Sequence, residues 1–183
     1  MQISDISDEA LMLKAQRGEL DAVGKLYERY SKKLFNFFIR ITGNRDDSAD
    51  LTQNVFYRVL KYRGSYNPEH QFRTWMYQMG RNCLTDYRKD SSKHPNIEDK
   101  DNVLSALLND ENSNNQVSQD AILFKAIENL PFEGKELLVM CKFQKLKYEE
   151  IAKITNDSVP NIKIKVHRTL KRLKEIYFEM EDA

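Results

Sequence analysis

An all-α fold is the expectation for this 183-residue sequence, on three observations. Apolar residues recur every three or four positions almost throughout. Strict apolar/polar alternation is nearly absent. Only 6 glycines and 4 prolines are available to punctuate strands and hairpins. The helical periodicity lapses once, between about 90 and 120, so two small helical domains joined by a flexible linker are expected.

The elements follow in order. A first helix is predicted from about Asp8 to Arg17, ended by Gly18. A second runs from Asp21 through Phe38 to Ile41, ended by the Thr-Gly-Asn at 42–44. Asp46 and Asp47 open a third, DDSADLTQNVFYRVLKY, with Leu51, Val55, Val59 and Tyr62 on one side. Its acids lie in the first turn, where they complement the helix dipole. A loop, RGSYNPEHQ, leads into a fourth helix over 70–89.

That fourth helix, HQFRTWMYQMGRNCLTDYRK, places Phe72, Met76, Met79, Cys83 and Tyr87 on its apolar side, with Trp75 at the margin and assigned to the core. Thr74, Tyr77, Gln78, Arg81, Thr85 and Arg88 fall opposite. Solvated faces usually mix Glu with Lys. This one instead offers cations, a ring and neutral hydrogen-bonding groups, a set suited to phosphates and unstacked bases. A solvated face that merely lacks acids is the plain alternative.

Residues 90–119 are rich in Ser, Asn and Asp, with a short apolar island from Val103 to Leu108, the composition of a linker. The expected organisation is therefore a domain over 1–90, an acidic linker over 91–120 and a domain over 121–183. Within the last, KLKYEEIAKITNDSVPNIKIKVHRTLKRLK (145–174) has the layout of a helix-turn-helix. Ser158 is the expected N-cap, and Pro160 is tolerated in a first turn. Ile162, Val166, Leu170 and Leu173 form the inward stripe. Asn161, Lys163, Ile164, His167, Arg168 and Lys171 remain on the outward side, with chemistry for base edges and phosphates. Ile164 is anomalous there, and two readings stay open: packing against the preceding helix, or contact with a thymine methyl.

The net charge of +1 conceals a pattern. Residues 31–89 hold 11 basic and 5 acidic side chains, residues 90–120 hold 2 and 7, and the stretch from Lys142 to Lys174 holds 10 and 3. Two basic regions separated by an acidic one suit nucleic acid better than a surface built for solubility. No apolar run approaches membrane-spanning length, and the acidic, polar start does not read as a secretion signal, so no membrane insertion and a cytoplasmic location are expected. Cys83 and Cys141 sit in apolar helical patterns and read as reduced, buried thiols. With His70, His94 and His167 they show no ligand spacing, so neither a metal nor a cofactor is expected. Asp46, Asp47 and Asp50 in one helical turn, with no distant partner, make a poor metal-dependent nuclease, and no catalytic residue is assigned. A helix-turn-helix repressor and a helical scaffold are the other rivals.

Four collinear segments together resemble the sigma-70 family of bacterial RNA polymerase sigma factors, in its compact extracytoplasmic-function group. They are GELDAVGKLYERY with TGNRDDSADLTQNVFYRVL, then FRTWMYQMGRNCLTDYRK, then LPFEGKELLVMCKFQKLKYEEIAKI, then VPNIKIKVHRTLKRL. The resemblance implies a region 2 helical bundle and a region 4 helix-turn-helix, and a factor that binds core polymerase, selects promoters and promotes strand opening at the minus-ten element. It nominates Asp50, Gln53, Asn54 and Phe56 for the clamp helices of the largest subunit. Helix-dipole stabilisation remains the alternative for Asp50, and core packing for Phe56. It implies that Ser65, Tyr66 and Asn67 capture a base and that Arg73, Arg81, Arg88 and Lys89 hold backbone, with Thr74, Tyr77 and Gln78 on the same face. Lys163, Ile164, His167 and Arg168 would enter the major groove of the minus-thirty-five element, flanked by Asn161 and Lys171. Implied partners are core RNA polymerase, including its second-largest subunit, promoter DNA, and an anti-sigma factor or other regulator. The chain departs from the family at Asn54, where an acid is usual, at Ile164, where Ser is common, and at Lys145 and Lys147, where Gly and Ser are common.

Overall fold

The computed structural model describes residues 6–91 and 117–181, which form eight α-helices and no strand among the described residues. In chain order they are α1 (Asp8–Gln16), α2 (Asp21–Thr42), α3 (Arg45–Tyr62), α4 (Phe72–Ser91), α5 (Val117–Glu128), α6 (Phe132–Leu138), α7 (Tyr148–Thr155) and α8 (Val159–Glu181). Two compact units result, one of residues 1–35 with 49–96 and one of residues 36–48 with 97–183.

Local chemistry sets the helix ends. Ser7 caps α1 by accepting from Ala10 N–H at 3.2 Å, and Gly18 (φ +98°) supplies the left-handed turn that follows. Asn44 caps α3, its Oδ1 accepting from Asp47 N–H at 2.9 Å. Helix α4 begins at Phe72, two residues later than spacing predicts, because the loop before it is tied down by α1. Helix α5 begins at Val117, earlier than the expected end of the linker. The rest of the linker lies outside the described residues.

In the first unit the core is built from Leu11, Met12, Ala15, Leu26, Leu34, Val55, Val59, Phe72, Met76, Tyr77, Cys83 and Leu84. Asp8 joins α1 to α2 by accepting from Arg29 at 2.6 Å and from the Tyr30 hydroxyl. Tyr27 meets Phe56 across α2 and α3 with ring centroids 4.8 Å apart, and Tyr30 meets Phe72 across α2 and α4 at 5.6 Å. Arg58 on α3 donates to Asp86 on α4 at 2.8 Å. These cross-links tie α3 and α4 to each other and to α2.

In the second unit Ala126, Ile127, Leu130, Leu138 and Ile176 form a core, with Phe143, Leu170, Leu173, Tyr177 and Met180 packed against it. Helix α6 runs directly into a π-turn at Val139–Phe143, and the chain then reverses through Lys145, a non-glycine residue at φ 52°. Gly134 lets α6 approach α8 closely, since a Cβ there would sit 3.0 Å from Thr169 Oγ1. The helix-turn-helix forms as expected. Asn156 takes the left-handed conformation (φ 54°) at the end of α7, and Ser158 caps α8 by accepting from Asn161 N–H at 3.3 Å.

Candidate nucleic-acid interface

The loop between α3 and α4 is held at both ends by α1. The Gln16 carboxamide donates to the Arg63 and Tyr66 carbonyl oxygens, at 3.0 and 2.7 Å, while Glu9 Oε1 accepts from Phe72 N–H at 3.0 Å, capping α4. Between these anchors Ser65 and Asn67 are exposed. Ser65 Oγ donates to the Tyr62 carbonyl at 2.8 Å, and Asn67 Oδ1 accepts from Glu69 N–H at 3.0 Å, so the loop is pre-shaped by its own hydrogen bonds.

Tyr66 does not share that exposure. Its ring is only 3 % exposed and lies against Trp75 at 5.0 Å, and its hydroxyl donates to the His70 carbonyl at 2.5 Å. Burial, followed by the nearby Glu9 and Asp8 charges, pushes the phenol up to about 12. Tyr66 is therefore the floor of the loop and not a free ring for a captured base, which corrects its expected placement. Trp75 is half-buried in the same aromatic group, in keeping with its assignment to the core.

The helix face of α4 is also rotated slightly from the expected one. Tyr77, placed by spacing on the polar side, is fully buried, and so is Leu84, while Met79 and Tyr87 are only half-buried. Gly80, three residues after Tyr77 and four before Leu84, is buried on the same side of the helix. Tyr77 thus leaves the list of surface residues. What remains at helical spacing is a stripe in which Gln78, Thr85 and Arg88 are exposed and Thr74 and Arg81 half-buried, with Lys89 exposed at its end and Arg73 half-buried beside the loop. Asn82, exposed and not anticipated, adjoins it.

On α3, Asp50, Gln53 and Asn54 are exposed on one face. Phe56 is not on that face. Its ring is 5 % exposed beneath Tyr27, so its placement as a surface contact is corrected in favour of packing. Two exposed rings that spacing had not singled out, Tyr27 and Tyr57, flank the polar trio. Tyr57 was within reach of sequence reasoning, since it lies seven residues, two helical turns, after Asp50.

In the second unit Asn161, Lys163, Ile164, His167, Arg168 and Lys171 are all exposed along α8, opposite buried Ile162 and Val166. Ile164 itself is 50 % exposed, so packing against α7 is not what holds it. Asp157, in the turn before α8, accepts from Asn161 Nδ2 with both oxygens, at 2.8 and 3.0 Å, and from Lys165 Nζ at 2.7 Å. The Lys165 ammonium, then Asn161 and the Ser158 N–H, hold its carboxyl down at about 2. Sequence reasoning missed Asp157 because a turn aspartate so often serves only the backbone.

This geometry meets the comparisons with known proteins. Residues 26–94 match the family model described as Sigma-70 region 2, and residues 120–173 match Sigma-70, region 4. The chain belongs to the sigma-70 family, in its extracytoplasmic-function group. The ECF RNA polymerase sigma-E factor of Haemophilus influenzae is 26 % identical over 179 residues, covering 92 % of this chain and 94 % of that one. The ECF sigma factor SigM of Bacillus subtilis is 26 % identical over 157 residues, covering 85 % and 94 %. Among solved structures, CnrH in complex with the cytosolic domain of CnrY superposes with a TM-score of 0.72 at 20 % identity, over 92 % of this chain and 96 % of that one. RpoE of Bartonella quintana, solved with the anti-sigma factor NepR, gives 0.62 at 19 % identity over 89 % and 96 %. This sigma factor is thus a promoter-specific transcription initiation factor and not an enzyme, with core RNA polymerase and promoter DNA as its partners. Among the described residues no helix is long and apolar enough to cross a membrane.

Proposed function

We propose that the two polar faces divide the promoter between them. Residues 1–90 act at the minus-ten element and residues 121–183 at the minus-thirty-five element, with 91–120 as the connector. The observation that carries this reading is the pair of separate, acid-poor helix faces. One is Thr74, Gln78, Arg81, Thr85 and Arg88 beside the anchored loop, and the other is Asn161, Lys163, Ile164, His167, Arg168 and Lys171 on α8.

Each face suits a different form of DNA. The loop offers Ser65 and Asn67, small polar groups that can line a pocket for an extruded base, with Arg73, Arg81, Arg88 and Lys89 for the strand's phosphates. Extrusion costs a few kcal/mol, and contacts of about 1–3 kcal/mol per base can offset it, so strand opening is driven by capture of the opened form. Helix α8 buries one side and presents the other to solvent, with exposed side chains suited to the major groove of intact duplex. Asp50, Gln53 and Asn54, joined by Tyr27 and Tyr57, are the proposed contact with the clamp helices of core polymerase. The protein works in the cytoplasm, where core polymerase and promoters are. The anti-sigma factor NepR named for one solved relative supports a similar regulator here.

Run-off transcription with core polymerase tests the division. Arg81→Ala should reduce output from closed duplex more than from a template with a pre-opened bubble, whereas His167→Ala should give a defect that pre-opening does not repair. Equal losses on both templates for both variants would sink the division. Charge reversal at Asp50 combined with Gln53→Ala should weaken assembly with core at unchanged helical content, and wild-type affinity would remove that contact.

A further inference from the structure

The Asp157 carboxylate organises the start of the DNA-facing helix. Besides Asn161 and Lys165, its Oδ1 accepts from Ser158 N–H at 2.7 Å, so one side chain joins the turn to the first two turns of α8. An ionised carboxylate is an acceptor only. The nitrogen of the Asn161 amide must therefore face Asp157, and Asn161 Oδ1 must face away.

That orientation has a consequence for reading bases. An unconstrained asparagine reads adenine with both ends of its amide, donating to N7 and accepting from N6. Here one of the two amide N–H groups is held by Asp157, so the amide cannot turn freely and its oxygen and second N–H are fixed in direction. Its choice among base edges is then set by Asp157. Lys165 is restrained in the same way. Its ammonium is drawn back to the turn, at a groove of about 300 Å³ between α6 and α8 that Glu133, Arg168 and Arg172 also line.

We propose that Asp157 is a positioning residue of the DNA-reading helix: it fixes the orientation in which the Asn161 amide meets one base and withholds Lys165 from the DNA backbone. The proposal rests on α8 entering the major groove. Its effect is to trade backbone affinity for discrimination, since a negative charge beside the helix start penalises every sequence alike while the oriented amide favours some. The carboxyl is ionised throughout the physiological range, as any solvated aspartate is, and Lys165 and Asn161 hold it lower still.

The test uses the full chain assembled with core polymerase, on promoter duplexes carrying each base pair in turn across the minus-thirty-five element, at several salt concentrations. Asn161→Ala identifies the base pair that Asn161 reads. At that position Asp157→Ala should flatten the preference among base pairs by up to about tenfold, the scale of one oriented bidentate contact. It should also steepen the dependence of log K on log salt by about one phosphate contact, as Lys165 is released. Adding Lys165→Met should abolish the steepening and leave the base change in place. Asp157→Asn, which keeps the shape of the turn, should give the same steepening and covers the case in which Asp157→Ala folds poorly. Equal weakening on all sequences, with an unchanged salt slope in both variants, would overturn the proposal and leave Asp157 a structural residue of the turn. If Asn161→Ala alters no base preference, the base-reading half fails together with the major-groove reading of Asn161, and the salt slope alone then decides the Lys165 half.

Discussion

The Gln16 carboxamide nitrogen lies 2.7 Å from the Tyr66 carbonyl oxygen, across 50 residues of sequence, and the same nitrogen reaches the Arg63 carbonyl at 3.0 Å. A side chain on the first helix thus sets the shape of the loop proposed to receive a base. Gln16→Ala should lower stability by about 1–2 kcal/mol, the worth of two such bonds, and should speed amide exchange in the loop. Transcription from closed duplex should fall more than from a pre-opened bubble. Gln16→Glu, which sets a carboxylate against two carbonyls, should be no better than Ala. Unchanged loop exchange in both variants would show that the anchor is dispensable.

Tyr77 is predicted to behave as a core residue. Tyr77→Ala removes a fully buried ring and should cost about 3–5 kcal/mol in denaturant unfolding, with DNA defects only in proportion to the unfolded fraction. Gln78→Ala, on the exposed stripe, should stay within about 0.5 kcal/mol of wild type in stability. Reversal of this order would place Tyr77 back on the surface.

Two departures from the family pattern carry local costs that single substitutions should recover. Lys145 adopts φ 52°, where glycine is free of the Cβ clash, so Lys145→Gly should stabilise the second unit by about 1 kcal/mol net of the added chain entropy. At the start of α7 the Lys147 N–H donates to Glu150 Oε2 at 2.8 Å, but lysine has no acceptor to return the bond. Lys147→Ser completes the capping box and should add about 0.5–1 kcal/mol. Thermal unfolding checks both, and a loss of stability in either would contradict the stated cause.

Ile164, half exposed on α8, is predicted to touch a thymine methyl. Replacing the contacted thymine by uracil should weaken promoter binding, as should Ile164→Ser, and the two together should cost less than their sum. Stability of the variant should remain within about 0.5 kcal/mol of wild type, because the side chain fills no cavity. Additive losses would remove the methyl contact.

Asp157 gives a prediction in pH. Its folded-state value lies near 2, below the ordinary 3.8, so the carboxylate form is the one favoured by folding. Its contribution is therefore complete above about pH 4 and is lost as pH falls towards the folded value. Carboxyl-carbon NMR should show Asp157 titrating near 2, and Lys165→Met should move that midpoint up. A wild-type midpoint at the ordinary value would contradict the contacts.

The helices and their ends were legible in the sequence because they depend on neighbours along the chain. Gly18 after α1, Asn156 ending α7 and Ser158 starting α8 act within a turn of their own positions. The outward face of α8 was legible too, since Ile162 and Val166 are apolar enough to leave no choice of side. Tertiary structure decided the rest. A helical period locates a face only to within about one residue, and tyrosine is at home on either side of that margin, so Tyr77 was assigned to the core only by tertiary packing, and Tyr66 by Trp75 and Phe72. The anchoring of the loop by Gln16 and Glu9 joins residues 50 and 63 positions apart, and no local pattern records it. Asp157 stands between these cases. Its helix position is a local fact, but its hold on Asn161 and Lys165 needs three side chains to converge on one carboxylate, which only the folded turn brings about.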